Sequence, residues 1–345
     1  MRNNDKKMLF ACLVLVMFLG FAAAGYAAEK VTPSVKLTFS TEYNKNDMRG
    51  EVGAYWADLV EKKTNGKVKV DLHYSGEIIS GKDAFAGTAS GAIDVSLLSS
   101  SYFTGDVPAV ELFILPLPPP TVKLDDFSDA WKDNRNFFTA KIEKKGCKPL
   151  LAFPMGTFTL VVSRKPIRTA EDFKGKKVRV AGGKVLPASV RVFGAGTATI
   201  AAAEIYPALQ NGTVDAVITL DETYVANSFY EVAPYVTQCQ WYTGNYFILI
   251  NPAVFAKLTP DLQKIIMECS KEAEIWGEKH SYAAADIARN KAKAKSKEYY
   301  VLPDKEAQRW SEMVQPVWTT WAKDQGPDGQ ILLDMLLKKK NKPKN

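Results

Sequence analysis

The chain has 345 residues, 46% hydrophobic and 24% charged, the make-up of a globular protein and not of a disordered or fibrous one. Its formal charge is +7, but many lysines alternate with acids, and the one dense run (Lys338, Lys339, Lys340, Lys342, Lys344) is terminal, which argues against a nucleic-acid partner. Two histidines, His73 and His280, leave little scope for histidine-based hydrolysis or zinc chemistry.

Arg2, Lys6 and Lys7 precede an apolar run, 9–21, and then Ala22, Ala23, Ala24, Gly25, Ala27 and Ala28. Positive start, short apolar core and small-residue exit read as a secretory signal peptide over 1–27, cleaved after Ala27 or, alternatively, Ala24. The run is shorter than the ~20 residues that span a bilayer. Loss of Arg2, Lys6, Lys7 and Asp5 removes three positive charges and one negative, leaving about +5. The expected location is the periplasm. A mature chain of this length is expected to divide into two cores.

Residues 35–40 alternate as a strand. Val52, Tyr55, Trp56, Leu59 and Val60 then fall on one helix face, with Asp47 as cap and Asn65-Gly66 as stop. Val68, Val70 and Leu72 give a second strand, 81–90 a short helix, and 93–98 a third strand ending in three serines, 99–101. Strands alternating with helices predict an α/β sheet whose ligand site lies at the strands' carboxyl ends. The loops from Thr41, Tyr74 and Ser99 are therefore the first candidates. After the proline-rich break at 116–120, residues 126–144 read as a helix, and 149–153 and 159–163 as paired strands that form a hinge crossing between lobes. A second α/β block follows: a strand at 178–180, helices at 186–192 and 204–211, and a strand at 214–219. The stretch 240–250 is apolar and aromatic. Thr259-Pro260-Asp261 then opens a helix of ~35 residues, ~50 Å at 1.5 Å per residue, long enough to cross two lobes. Trp310, Val314, Val317, Trp318 and Trp321 mark one more helix. The expected division is lobe I at 28–153, lobe II at 154–250, and C-terminal helices at 251–345 packing on both.

Cys147, Cys239 and Cys269 follow the leader without metal-ligand spacing; they read as buried apolar residues, with a Cys147–Cys239 bridge left open. No nucleophile elbow, zinc-protease helix or phosphate loop is present in the sequence. No metal or cofactor is expected. Export, two α/β halves and missing catalytic motifs favour a hinged binding protein over an enzyme.

The stretch Glu204-Ile-Tyr-Pro-Ala-Leu-Gln-Asn-Gly-Thr-Val-Asp215 resembles the extracytoplasmic solute receptors of TRAP (tripartite ATP-independent periplasmic) transporters, the DctP-type family. Other pieces agree in order: Trp56, Gly66 and Val68; Ser75-Gly76-Glu77; Gly91 to Asp94; Leu115-Pro116; Lys165-Pro166-Ile167; Asp172 to Gly175; Val178-Arg179-Val180; Tyr230-Glu231-Val232; and Leu262-Gln263-Lys264. The resemblance covers nearly the whole mature chain. It implies a two-lobed periplasmic-binding fold with a long helix across both lobes. It also implies delivery of a small organic acid to membrane permease subunits, and an Arg179 that grips the ligand carboxylate. Guanidinium geometry suits that role, because its fork matches two carboxylate oxygens. Two positions depart from the family. Gly156-Thr157-Phe158 stands where a second arginine is common, and Thr219 where asparagine is common. Fewer polar donors imply a monocarboxylate with an apolar or aromatic body, against which Phe158, Tyr102, Trp241 and Tyr242 would pack. Tyr43, Glu77 and Ser100 are expected to face the cleft from first-lobe loops. A monomer is expected. A receptor for a membrane sensor and an exported carbohydrate-active enzyme are the other readings.

Overall fold

The computed structural model describes residues 35–118, 122–155 and 159–337. The expected signal peptide and the C-terminal lysine run lie outside these residues. Eleven strands are present: β1 Val35–Thr41, β2 Val68–His73, β3 Val95–Ser99, β4 Lys148–Pro154, β5 Thr159–Ser163, β6 Lys177–Val180, β7 Gly196–Thr199, β8 Ala216–Leu220, β9 Tyr235–Gln238, β10 Asn245–Ile250 and β11 Glu298–Val301. The α-helices are α1 Met48–Lys63, α2 Ala84–Ser90, α3 Leu124–Asp133, α4 Arg135–Glu143, α5 Val185–Val192, α6 Ile205–Gln210, α7 Asp221–Ala226, α8 Pro252–Ala256, α9 Pro260–Lys295, α10 Asp304–Asp324 and α11 Pro327–Leu337.

The strands form two sheets, one per lobe. The first has the order β2-β1-β3-β10-β4 and the second β11-β9-β5-β8-β6-β7. β1 pairs in parallel with β2 and β3, and β6 in parallel with β7 and β8. β3, β5, β8 and β10 are buried along their whole length, as strands covered on both faces must be.

Local chemistry explains the element ends. Asp47 accepts from the Arg49 N–H at the start of α1, and Asn65 and Gly66 take left-handed backbone just past its end. Thr259 caps α9 at the Leu262 N–H, and Pro260 opens it without losing a hydrogen bond. α9 runs 36 residues and packs on α1 and β4 of the first lobe and α7 of the second. Trp56 Nε1 donates to Ser270 Oγ at 3.0 Å, fixing α1 against it. α10 packs on α5, and α11 on α3, so the C-terminal helices touch both lobes.

The structure corrects the sequence reading in three places. β10 lies between β3 and β4, so the chain is back in the first sheet before residue 250. Its apolar run would suit the middle of either sheet. β4 and β5 do not pair with each other but enter different sheets. The two crossings are instead tied together: the Met155 N–H donates to Gly244 O at 2.8 Å, and the Tyr242 N–H to Thr159 Oγ1 at 2.8 Å. Finally, 126–144 is two helices broken at Asn134, whose side-chain amide donates to Ala130 O at 2.9 Å in competition with the backbone ladder. The bridge left open between Cys147 and Cys239 is not formed; Cys147, Cys239 and Cys269 are all free and buried.

Candidate functional site

The carboxyl ends of β1, β3, β6 and β8 converge where the lobes meet. They enclose a narrow cavity of about 30 Å³. Its first-lobe wall is Glu42, Tyr43, Arg49, Ser99, Tyr102 and Tyr246; its second-lobe wall includes Arg179, Ile205, Thr219 and Thr223; Tyr242 comes from a crossing. Of the residues singled out from sequence, Tyr43, Tyr102, Arg179, Thr219 and Tyr242 are thus brought together.

The others fall elsewhere. Phe158 lies outside the described residues. Ser100 is fully buried next to the lining residue Ser99, and its hydroxyl has no hydrogen-bond partner. Glu77 is on the surface, 3.4 Å from His73 Nδ1, and does not line the cavity. Trp241 is a core residue: its indole packs among Phe173, Phe193 and Trp310, and its N–H donates to Ser189 Oγ at 3.0 Å. Both corrections have one cause, since neither an aromatic run nor a Gly-centred loop shows which way its side chains face.

Arg179 occupies the third position of β6 and is 4% exposed. Its Nε donates to Ile200 O at 2.8 Å, which turns the rest of the fork free. Among the described residues no carboxylate lies within ion-pair distance of it. A buried guanidinium without an anion at ion-pair distance is costly.

Arg49 and Glu42 were not picked out from the sequence. Glu42 follows the end of β1, in a loop already marked for its position, and Arg49 is the second residue of α1. Arg49 is held by Asp47, with Nε 2.7 Å from Oδ1. It also bridges the lobes, donating to Tyr246 OH at 3.1 Å on one side and Thr223 Oγ1 at 2.9 Å on the other. Glu42 accepts from Tyr102 OH at 3.3 Å through Oε2, while Oε1 has no partner. Burial raises its pKa, and Tyr43, Arg49, Tyr102 and Arg179 oppose the rise. Burial likewise pushes the Tyr43, Tyr102 and Tyr242 hydroxyls up, so they stay protonated and can donate.

A hollow of about 310 Å³ adjoins this cavity, sharing Tyr102 and Ala181 with it, and two others lack its chemistry. A groove of about 800 Å³ along α9 includes Ala283, Ala284, Ile287 and Ala288 and the already paired Glu51 and His280, 2.7 Å apart. A hollow of about 280 Å³ between α5 and α10 has a largely apolar wall, and its Glu111 already accepts two backbone N–H groups.

A family model described as bacterial extracellular solute-binding protein, family 7 (DctP), matches residues 39–324. The chain belongs to this family. Family-7 relatives include the 2,3-diketo-L-gulonate-binding periplasmic protein YiaO of Escherichia coli, 26% identical over 76% of this chain and 77% of the relative. The C4-dicarboxylate-binding protein DctB of Bacillus subtilis is 24% identical over 90% of this chain and 93% of its own length. Among solved structures, the Bordetella pertussis receptor DctP7, which binds pyroglutamic acid, superposes with a TM-score of 0.82 at 20% identity, covering 87% of this chain and 99% of that one. A succinate-bound TRAP periplasmic solute-binding protein from Sulfurospirillum deleyianum also gives 0.82, at 22% identity, covering 89% and 99%. The family fold is the two-lobed one seen here. Family-7 proteins are extracytoplasmic TRAP-type receptors for small carboxylates that work with membrane permease components, and not enzymes. None of the described helices is long and apolar enough to cross a membrane.

Proposed function

We propose that this receptor captures a compact monocarboxylate by lobe closure, with Arg179 as the anchor of its carboxylate, and presents it to the permease after removal of the leader peptide. The observation that carries the reading is the buried, unpaired fork of Arg179 in the interlobe cavity. Only one further arginine lines the cavity, and Asp47 already neutralises it. That leaves Arg179 as the one cavity cation, among the described residues, without a carboxylate at ion-pair distance, which suits one carboxylate at that position. Tyr43, Tyr102, Tyr242 and Tyr246 supply apolar faces with polar tips around the remaining body. The narrowness of the cavity supports a small body in place of the bulkier one expected from the sequence.

Mass spectrometry of the small molecule released on denaturing the purified protein tests this reading. It predicts a compact monocarboxylate that is absent from Arg179→Ala. A non-acidic compound retained by that variant would overturn it.

A further inference from the structure

We infer that Glu42 reads a second group on the ligand, an N–H or O–H donor, so that the receptor selects small monocarboxylates carrying such a donor and rejects dicarboxylates. The inference rests on the assignment of the ligand carboxylate to Arg179.

Glu42 sits at the carboxyl end of β1 and is 8% exposed. One oxygen, Oε2, has the Tyr102 hydroxyl; the other, Oε1, is buried without a partner in the cavity wall. A buried carboxylate oxygen left unpaired is a cost that folding alone gives no reason to keep. Room for it is preserved at Gly81, where a Cβ would come within 2.5 Å of Glu42 Cδ. Any other residue there would push the carboxylate aside.

Charge accounting fixes the class of the second group. Arg49 is matched by Asp47, so the cavity offers one unmatched cation, Arg179, and one unmatched acid, Glu42. A monocarboxylate on Arg179 that turns an amide, ammonium or hydroxyl hydrogen toward Glu42 satisfies both. A dicarboxylate would set its second negative charge in a pocket whose remaining charge is Glu42, and like charges in a buried site repel strongly. Arg49 gives little relief, because its fork is occupied by Asp47, Tyr246 and Thr223.

Calorimetry on the mature chain with four probes tests this: L-pyroglutamate, 3-hydroxybutyrate, butyrate and succinate. Wild type should bind at least one of the first two roughly 10- to 100-fold tighter than butyrate, the span of a hydrogen bond to a charged group, and succinate no better than butyrate. Glu42→Gln keeps shape and loses charge; it should erase that preference, read as the ratio of each donor-bearing acid's affinity to that of butyrate in the same variant. Glu42→Asp should restore part of it, which a merely structural role would not. Succinate bound as tightly as the donor-bearing acids, a preference that survives in Glu42→Gln, or binding of none of the four would overturn the inference. If the preference disappears in Glu42→Gln yet Arg179→Ala binds butyrate like wild type, the anchor assignment fails and takes this inference with it. If Arg179→Ala abolishes binding and Glu42→Gln changes nothing, only the role of Glu42 falls.

Discussion

Arg49 and Arg179 line the same cavity, but only Arg49 is paired with a carboxylate. Arg49 also stacks its guanidinium 4.0 Å from the Tyr43 ring centre. On the proposed reading, one arginine serves the fold and the other anchors the ligand. Arg49→Ala should lower the stability of the ligand-free protein by about 3–5 kcal/mol, because it strands the buried Asp47 charge. Arg179→Ala should destabilise the ligand-free protein by much less, since it removes a buried charge with no ion-pair partner among the described residues and loses only the Nε bond to Ile200 O. Denaturant unfolding of both variants without ligand checks the pair; equal losses would contradict the division of roles.

The lobes also meet away from the ligand. Glu111, in the 3₁₀ turn Pro108–Ile114 of the first lobe, accepts from the backbone N–H groups of Lys184 and Val185 at the start of α5 in the second. A helix cap supplied by the opposite lobe exists only when the lobes are together. Gly183 has φ +75°, and a Cβ on it would lie 2.7 Å from the Glu111 carboxylate. Glu111→Ala should weaken ligand binding about fivefold, the worth of a ~1 kcal/mol cap, though it does not line the ligand cavity. Gly183→Ala should act in the same direction and more strongly. Small-angle scattering with and without ligand should show both variants more open than wild type.

Trp241 should behave as a core residue. Trp241→Ala removes a fully buried indole from a cluster with Phe173, Phe193 and Trp310 and takes one hydrogen bond from Ser189 Oγ, which keeps its bond to Leu186 O. The expected loss is about 3–5 kcal/mol of stability. Trp241→Phe should recover most of it with ligand affinity unchanged, measured by denaturant unfolding and calorimetry.

Asp221 gives the stability a pH dependence. It opens α7 fully buried, accepts from Tyr299 OH at 3.0 Å, and lies 4.0 Å from Arg289 Nε, with Lys293 also acting on it. Burial pushes its pKa up to about 6, against an ordinary 3.8. The folded protein therefore holds this proton more tightly than the unfolded chain. The contribution to stability is favourable below pH ~4 relative to neutral pH, and is lost as pH rises through about 6. Asp221→Asn removes this dependence. Wild type should gain on the variant by roughly 2 kcal/mol as pH falls from 7 to 4. Thermal melts of both across that range decide it; parallel profiles would contradict the assignment.

What the sequence showed and hid follows from locality. The Asp47 and Thr259 caps and the Asn65-Gly66 stop act on their own neighbours, so a linear pattern displays them. The position of Arg179 came from a strand followed by glycines, together with the family resemblance. Glu42 stayed hidden because its meaning depends on Tyr102, 60 residues on, and on the room left at Gly81. Arg49 looked like part of a helix start until Thr223, 174 residues away, came to its other side. Trp241 and Tyr242 are adjacent in one aromatic run, and only tertiary packing sends one to the core and the other to the cavity.

The most direct test of the account is the affinity of wild type, Arg179→Ala and Arg179→Lys for the carboxylate that wild type releases on denaturation. Truncation should cost roughly 10²–10³-fold or more, because the bound carboxylate loses its buried partner. Lysine should bind more weakly than arginine, since it keeps the charge but not the fork. An unchanged affinity in Arg179→Ala would contradict the central claim that this guanidinium anchors the ligand.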